Sequence, residues 1–326
     1  MPDLRVTIGS LQLANPVFVA AGTFGYGLEF ARAMRLSLLG ALITKTLTPQ
    51  PREGNPPPRL VETPSGMLNA VGLQNMGLAA FLCDVLPALR AHPVPVIVSI
   101  LGESPDDVAA MAQALDRADG VSAVELNLSC PNIQYRSELG EHETLNAELE
   151  TAGQGPAMVA HDADATAAIV RAARRATHKP IIAKLSPDVT DLRPIALAAE
   201  RAGADAVSLS NTFKGMSLDP ATRRSRLGTL TGGLSGPAIR PLAVYRVWYT
   251  AQVLRIPIIG VGGIVRADDA VEFFLAGAGA VAIGTANFAD PKAPLRVLRG
   301  LERYLKRARM ASLRDVRGAL QQDNEA

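Results

Sequence analysis

Cysteine is scarce in this chain. Two cysteines in 326 residues exclude a disulfide framework and make a reducing cytosol the simplest compartment. A charge excess is lacking too: the formal net charge is +2, so bulk charge points to neither nucleic acid nor anionic lipid. No leading stretch joins a basic start to an apolar signal core, and no uncharged apolar run reaches about 18 residues, the usual spanning threshold. A soluble, cytoplasmic protein is the expectation. The four histidines, His92, His142, His161 and His178, form no metal-ligand spacing, and no metal is expected. There is no cysteine cluster for an iron–sulfur centre and no βαβ glycine fingerprint for NAD. What is abundant is apolar: 48% hydrophobic residues against 20% charged ones, ample for a large core and unlike a disordered chain.

Short β-branched runs alternate with helical patterns along the chain. Strands are expected at Val17–Ala20, Ala41–Lys45, Val96–Leu101, Ala123–Leu128, Ile181–Leu185, Ala206–Ser210, Ile258–Val261 and Ala280–Gly284. Helical spacing predicts Pro105–Ala118, Ala163–Ala176, Leu192–Ala202, Ala238–Val253 and Ala267–Ala276. Three helix-to-strand joints repeat one another, at Asp119-Gly120, Ala202-Gly203 and Ala276-Gly277, each with glycine where a helix ends left-handed. Eight strands alternating with helices match a closed (β/α)8 TIM barrel, whose active site occupies the carboxyl ends of the strands; a doubly wound open sheet is the competitor. Leu4–Ala14 alternates around Gly9-Ser10 and reads as an N-terminal β-hairpin capping the barrel floor. No linker divides the chain, so 1–326 is expected to be a single domain, with a tail after Arg314 that frays.

The strand-four run Glu125-Leu126-Asn127-Leu128-Ser129-Cys130-Pro131-Asn132 carries the most chemistry. It begins as an alternating strand and ends in two amides, a hydroxyl and a thiol, where Pro131 closes the ladder. A thiol so flanked, on a turn beyond a strand, reads as an acid/base or a nucleophile. Lys45 and Lys184 end strands two and five, where an ammonium must enter a pocket or snorkel to the surface. Asn211-Thr212 follow strand six. Glycines follow strands seven (Gly262-Gly263) and eight (Gly284-Thr285), the two strands whose loops commonly form a phosphate site in barrels. Gly232–Pro237 either covers a cofactor face or shapes a long loop. The long connection after strand two, through Asn69, Gly72 and Leu73, offers hydrogen bonds to a planar polar ligand. Cys83 and Trp248, both at helical spacing, are expected in the core, and Lys306–Arg309 on a solvated helix face.

A phosphate site, two lysines, an acid/base thiol and several amides suit a flavin mononucleotide enzyme. Lys184 would balance negative charge near the N1/C2 region of the reduced ring, and Cys130 would remove a proton as hydride leaves for N5. At these residues the chain resembles the class 1 dihydroorotate dehydrogenases, and most closely the FMN-binding catalytic subunit of the NAD-linked type, class 1B. The resemblance covers almost the whole chain. It rests on Lys45-Thr46, the segment from Glu62 to Asn75, Asn127–Asn132, Lys184-Leu185-Ser186-Pro187, Thr231–Ile239 and Gly284–Pro291.

The resemblance implies oxidation of dihydroorotate to orotate in pyrimidine (UMP) biosynthesis, with Cys130 taking the C5 proton and C6 passing hydride to FMN. It implies that Lys45, Asn69, Gly72, Leu73, Asn127, Asn211 and Thr212 line the pyrimidine. For FMN it implies Ala21, Gly22, Lys45, Thr46, Asn127, Lys184, Gly236, Gly262, Gly263, Gly284 and Thr285. It also implies a homodimer, or a heterotetramer with a second subunit that carries FAD and a [2Fe–2S] cluster and reduces NAD. Two features depart from the family pattern. Met76 stands where the family has proline, and roughly twenty residues, Ile133–Ala152, are inserted in the lid loop beside the thiol. The rival readings are a dihydropyrimidine dehydrogenase-like FMN unit, a Schiff-base lyase using Lys184 or Lys45, and a flavin-binding scaffold without catalysis.

Overall fold

The computed structural model describes residues 2–129 and 159–321. Cys130 and the segment 133–152 lie outside the described residues. Eight parallel strands close into a barrel in sequence order. They are β1 (Val17–Val19), β2 (Ala41–Ile43), β3 (Val96–Ile100), β4 (Val121–Asn127), β5 (Ile181–Lys184), β6 (Ala206–Leu209), β7 (Ile258–Val261) and β8 (Ala280–Ile283). All eight expected strands are present, each with ends within two residues of the sequence reading. The open sheet is excluded by β8 pairing with β1 and β5 with β6.

The outer layer holds α1 (Pro105–Asp116), α2 (Ala163–Ala176), α3 (Arg193–Arg201), α4 (Arg240–Ala251), α5 (Ala267–Leu275) and α6 (Ala293–Arg307). Their starts are written locally. Ser104 accepts the Asp107 N–H at 3.1 Å ahead of Pro105, and Asp162 accepts the amides of Asp164 and Ala165, satisfying donors that a helix N-terminus leaves free. The three glycine joints take the left-handed conformation the sequence pattern requires, with φ of 91° at Gly120, 104° at Gly203 and 109° at Gly277. Among the described residues no helix is long and apolar enough to cross a membrane.

Successive strand residues point alternately into the barrel and out to the helices. Phe18, Ala41, Ile43, Ile97, Ala123, Ile182, Ala206, Ile259 and Ala280 fill the inside. The hairpin Val6–Ile8 with Leu11–Leu13 presses Ile8 and Leu13 into that cluster and so closes the amino end of the barrel, as its alternation led us to expect.

Three sequence expectations need correction. Cys83 is exposed rather than a core thiol. Phe81, Val85, Leu86 and Leu89 are the buried face of the helical run 78–89, which includes a π-helical segment at Phe81–Val85. Cys83 lies two residues from Phe81 and two from Val85, on the opposite face with Asp84. Trp248 is only partly buried, packed on the outside of the core. The chain stays anchored past Arg314: Val316 is 1% exposed, and the Gly318 N–H donates to the Phe274 carbonyl at 2.9 Å. Residues 322–326 lie outside the described part.

Candidate active site

Two long loops of the carboxyl face do not run independently. Gly66–Asn69, from the loop after β2, pairs antiparallel with Gly232–Ser235, from the loop after β6. Leu60–Thr63 and Phe213–Gly215 extend these into a four-stranded sheet. The Gly232–Pro237 segment is therefore a strand and turn at the barrel mouth. Asn69 is fixed there, its Nδ2 donating to the Gly233 carbonyl at 3.1 Å. Thr212 lies against Gly233 so closely that a Cβ on this glycine would sit 2.0 Å from the Thr212 Oγ1. The expected pair Asn69 and Thr212 thus meets across one glycine.

Beneath this sheet the strand ends converge. Asn127 Nδ2 donates to Thr46 Oγ1 at 3.2 Å, and Thr46 shares a 3.0 Å hydroxyl bond with Ser99. Asn211 Nδ2 reaches Asn127 Oδ1 at 3.5 Å, while Asn211 Oδ1 accepts the Thr212 N–H at 2.8 Å. Ser129 Oγ donates to the Lys184 carbonyl at 3.3 Å, tying the last described residue before Cys130 to the end of β5. Lys184 is paired in register with Asn127 and is only 7% exposed, so its ammonium points inward rather than snorkelling outward. Lys45 is half-buried, held by its N–H on the Gly25 carbonyl at 2.9 Å. Burial lowers its pKa first and the nearby Arg59 cation second, against an opposing pull from Glu29.

Gly72 and Leu73 make no hydrogen bond to this cluster. They form a turn with φ of 74° and 57°, locked by the buried Asn75. Its Nδ2 donates to Thr48 Oγ1 and to the Leu73 carbonyl, and its Oδ1 accepts the Gly77 N–H. The Met76 N–H donates to the Tyr26 hydroxyl at 3.4 Å, a bond that proline at this position could not make.

The other side of the mouth is built of backbone. Gly262 and Gly263 adopt φ of 139° and 70°, conformations that glycine reaches without strain. A Cβ at Gly263 would fall 2.7 Å from that of Arg240. The N–H groups of Gly262, Gly263, Gly284 and Thr285 have no acceptor among the described residues. Arg240, at the start of α4, ion-pairs with the buried Asp269, whose other oxygen accepts the amides of Val265 and Arg266 at 2.9 Å. That clamp fixes the loop after β7. Thr285 Oγ1 donates to Ser235 Oγ at 2.8 Å, and a Cβ added at Gly236 would come 3.6 Å from the Thr285 methyl. A Cβ built at Gly22 meets nothing within 4 Å, and one at Gly284 meets nothing nearer than 3.7 Å. Free amides beside open space at glycines form a cradle for an anionic group with a flat body.

Some contributors carry no signal at a strand end. Ser99, Glu125 and Ser208 lie one layer deeper in the barrel and are each 0% exposed. Parity finds them: each lies two residues beyond an apolar residue of the barrel interior, Ile97, Ala123 or Ala206, and so on the same inner face.

A family model described as dihydroorotate dehydrogenase matches residues 3–305. Curated relatives are similar over nearly their whole length. The "Dihydroorotate dehydrogenase B (NAD(+)), catalytic subunit" of Geotalea daltonii is 47% identical over 319 residues, covering 98% of each chain. The protein of the same name from Desulforudis audaxviator is 50% identical over 314 residues, 96% of each. That from Thermodesulfovibrio yellowstonii is 43% identical over 322 residues, 99% of this chain and 100% of the relative.

Proposed function

The chain belongs to the dihydroorotate dehydrogenase family, and from that premise we propose that it oxidises dihydroorotate to orotate as an FMN-binding catalytic subunit of the NAD-linked type, on the route to UMP. The single observation that carries the chemistry is the convergence of Lys184, Asn127, Asn211 and Thr46 beside the free amides of Gly262, Gly263, Gly284 and Thr285.

The residues present fit FMN. The four amides would hold its phosphate, with Gly22 leaving room for its body and Gly236 bordering it beside Thr285, and Ala21, Lys45, Thr46, Asn127 and Lys184 would line the ring. FMN, when bound, accepts the hydride from substrate C6. The chain's own residues do the rest. Lys184, buried and cationic, supplies a fixed positive charge where negative charge develops, and such preorganised charge acts strongly in a water-poor site. Asn127, held by Thr46 and Asn211, presents an amide whose orientation is already set, and Asn69 and Thr212 hold the opposite edge of a pyrimidine. Lys45, whose proton is less tightly held than usual, pairs with the substrate carboxylate, and Gly72 and Leu73 close over it. Cys130 takes the C5 proton on Sγ; a free thiol has a pKa of about 8.5, and lowering it raises the fraction of working base.

The reading takes 1–326 as one FMN-binding domain and 133–152 as an insertion in its lid loop. Electrons would leave through a partner subunit bearing FAD and a [2Fe–2S] cluster, around a homodimer of this chain, in the cytoplasm. The name "catalytic subunit" that the relatives carry supports a partner.

The test is anaerobic addition of dihydroorotate to purified protein, with flavin absorbance followed in the visible. Bleaching is expected in the wild type. In Cys130→Ala the FMN should stay bound while the bleaching rate falls about 10²- to 10⁴-fold, the range for loss of a general base. Unchanged bleaching removes Cys130 from the mechanism. Faster bleaching with dihydrouracil than with dihydroorotate overturns the substrate.

A further inference from the structure

Glu125 lies on the inner face of β4, two residues before Asn127, and its carboxylate is completely buried. Neither carboxylate oxygen completes a hydrogen bond among the described residues. In native proteins such buried orphans are few, and redox or catalytic roles are among the explanations for them. The strand registers name what faces it. From β3 it is Ser99, its register partner; from β5 it is Ile182, its register partner, and Lys184 one inward position further along. From β4 itself they are Ala123 and Asn127, and β6 contributes Ser208, in register with Lys184. The Ser208 hydroxyl is likewise buried with no partner. Lys184 is the one charge in this set. Burial raises the Glu125 pKa, and the Lys184 ammonium and the Ser99 hydroxyl oppose that rise.

The ionised carboxylate is therefore supported first by the Lys184 cation and second by the Ser99 hydroxyl, and the proposed function gives that cation a second client. Hydride transfer adds two electrons and one proton to a flavin and leaves one new negative charge on the ring. As Lys184 balances that charge, its hold on Glu125 weakens, and an unbonded carboxylate in a dry layer then favours its neutral form.

We propose that Glu125 is a positioning residue that acts through Lys184, taking up one proton from solvent each time the bound flavin is reduced and returning it on reoxidation. The step balances: one O–H bond forms on the carboxylate, one breaks in solvent water or hydronium, and no electrons move to or from Glu125. The inference rests on the FMN reading above.

The test uses FMN-loaded protein and electrochemical reduction, so it needs no substrate. The midpoint potential of the bound flavin is measured against pH in the wild type and in Glu125→Gln. One extra proton per two electrons steepens the slope by about 30 mV per pH unit, the value of a tenfold change for a two-electron couple. The wild type should show that increment over a pH window, and Glu125→Gln should lack it. Reduced-minus-oxidised infrared spectra of the wild type supply a second readout: a protonated-carboxyl stretch should appear on reduction, and Glu125→Asp should keep it at a shifted position. Equal slopes with no carboxyl band overturn the proposal and leave the dehydrogenase reading intact. A chain that holds no flavin overturns both. If Glu125→Gln does not retain FMN, the wild-type infrared band alone decides, its absence counting against the proposal.

Discussion

The two ends of the barrel interior are made by the same strands and differ in kind. On β3 the inward residue Ile97 is followed two places later by Ser99; on β4, Ala123 by Glu125; on β5, Ile182 by Lys184; on β6, Ala206 by Ser208. Each step moves one layer toward the carboxyl end, and at each step an apolar group becomes polar while remaining at most 7% exposed. The lower layers, sealed by Ile8 and Leu13 of the hairpin, hold the barrel together by burial. The upper layer works against it, because a buried polar group without a partner costs about 1–3 kcal/mol. On these four strands fold and function are therefore separated by a single residue pair, and substitutions on either side of that boundary should have different signatures.

The largest expected effect lies below the boundary. Phe18 is fully buried in the lower cluster, so Phe18→Ala should lower the unfolding free energy by about 3–5 kcal/mol in a denaturant titration. Dihydroorotate-driven bleaching per folded molecule should not change. A loss below about 1 kcal/mol would mean that this layer is loosely filled, and the contrast between the two ends would collapse.

Above the boundary the expected signature is a dependence on pH. The Glu125 carboxyl holds its proton more tightly in the folded chain than the ordinary value of 4.5. Below about pH 4.5 the carboxyl is protonated whether folded or not, and its contribution to stability is fully present. As pH rises, the unfolded chain loses this proton first, so stability falls by up to about 1.4 kcal/mol per pH unit until the folded carboxyl ionises too. Glutamine does not titrate. Denaturant titrations of wild type and Glu125→Gln should thus diverge in favour of the variant as pH rises above the ordinary carboxyl range, and stop diverging once the folded carboxyl has ionised. A constant difference would mean that Glu125 has an ordinary proton affinity and that the upper layer is wetter than its burial implies.

The same boundary explains what could be read from the sequence. The eight strands were legible because each is a short β-branched run bounded by turn residues, and the glycine joints because three of them repeat one pattern. Lys45, Lys184 and Asn127 were legible because a polar residue at the end of an apolar strand stands out. Glu125 lies in the same run as Asn127 but is marked by neither a strand end nor a turn; only parity, followed back from Asn127 into the barrel, points to it. The sheet over the mouth was hidden for another reason. Its central strands, Gly66–Asn69 and Gly232–Ser235, are glycine-rich and far apart in sequence, and their pairing is decided by the barrel that brings the two loops together. The helical spacing around Cys83 marks an amphipathic run but not the side on which the thiol falls; the direction of each side chain around the helix puts it outside.

The smallest expected effect concerns the mouth loop that carries Met76. The Tyr26 hydroxyl receives the Met76 N–H at a long 3.4 Å, while the Tyr26 ring packs 5.6 Å from that of Phe81. Tyr26→Phe keeps the packing and removes one weak bond from a half-buried amide, so the loss of stability should stay under about 1 kcal/mol. The bond links the turn carrying Gly72 and Leu73 to the loop that also holds the Lys45 backbone through Gly25. Its loss should therefore loosen substrate positioning rather than proton removal. Steady-state kinetics with dihydroorotate are expected to show KM raised by no more than about fivefold, the factor that corresponds to 1 kcal/mol, with kcat unchanged. A fall in kcat with KM constant would instead assign this loop to the chemistry, and the division between a structural floor and a working mouth would have to be drawn closer to the substrate.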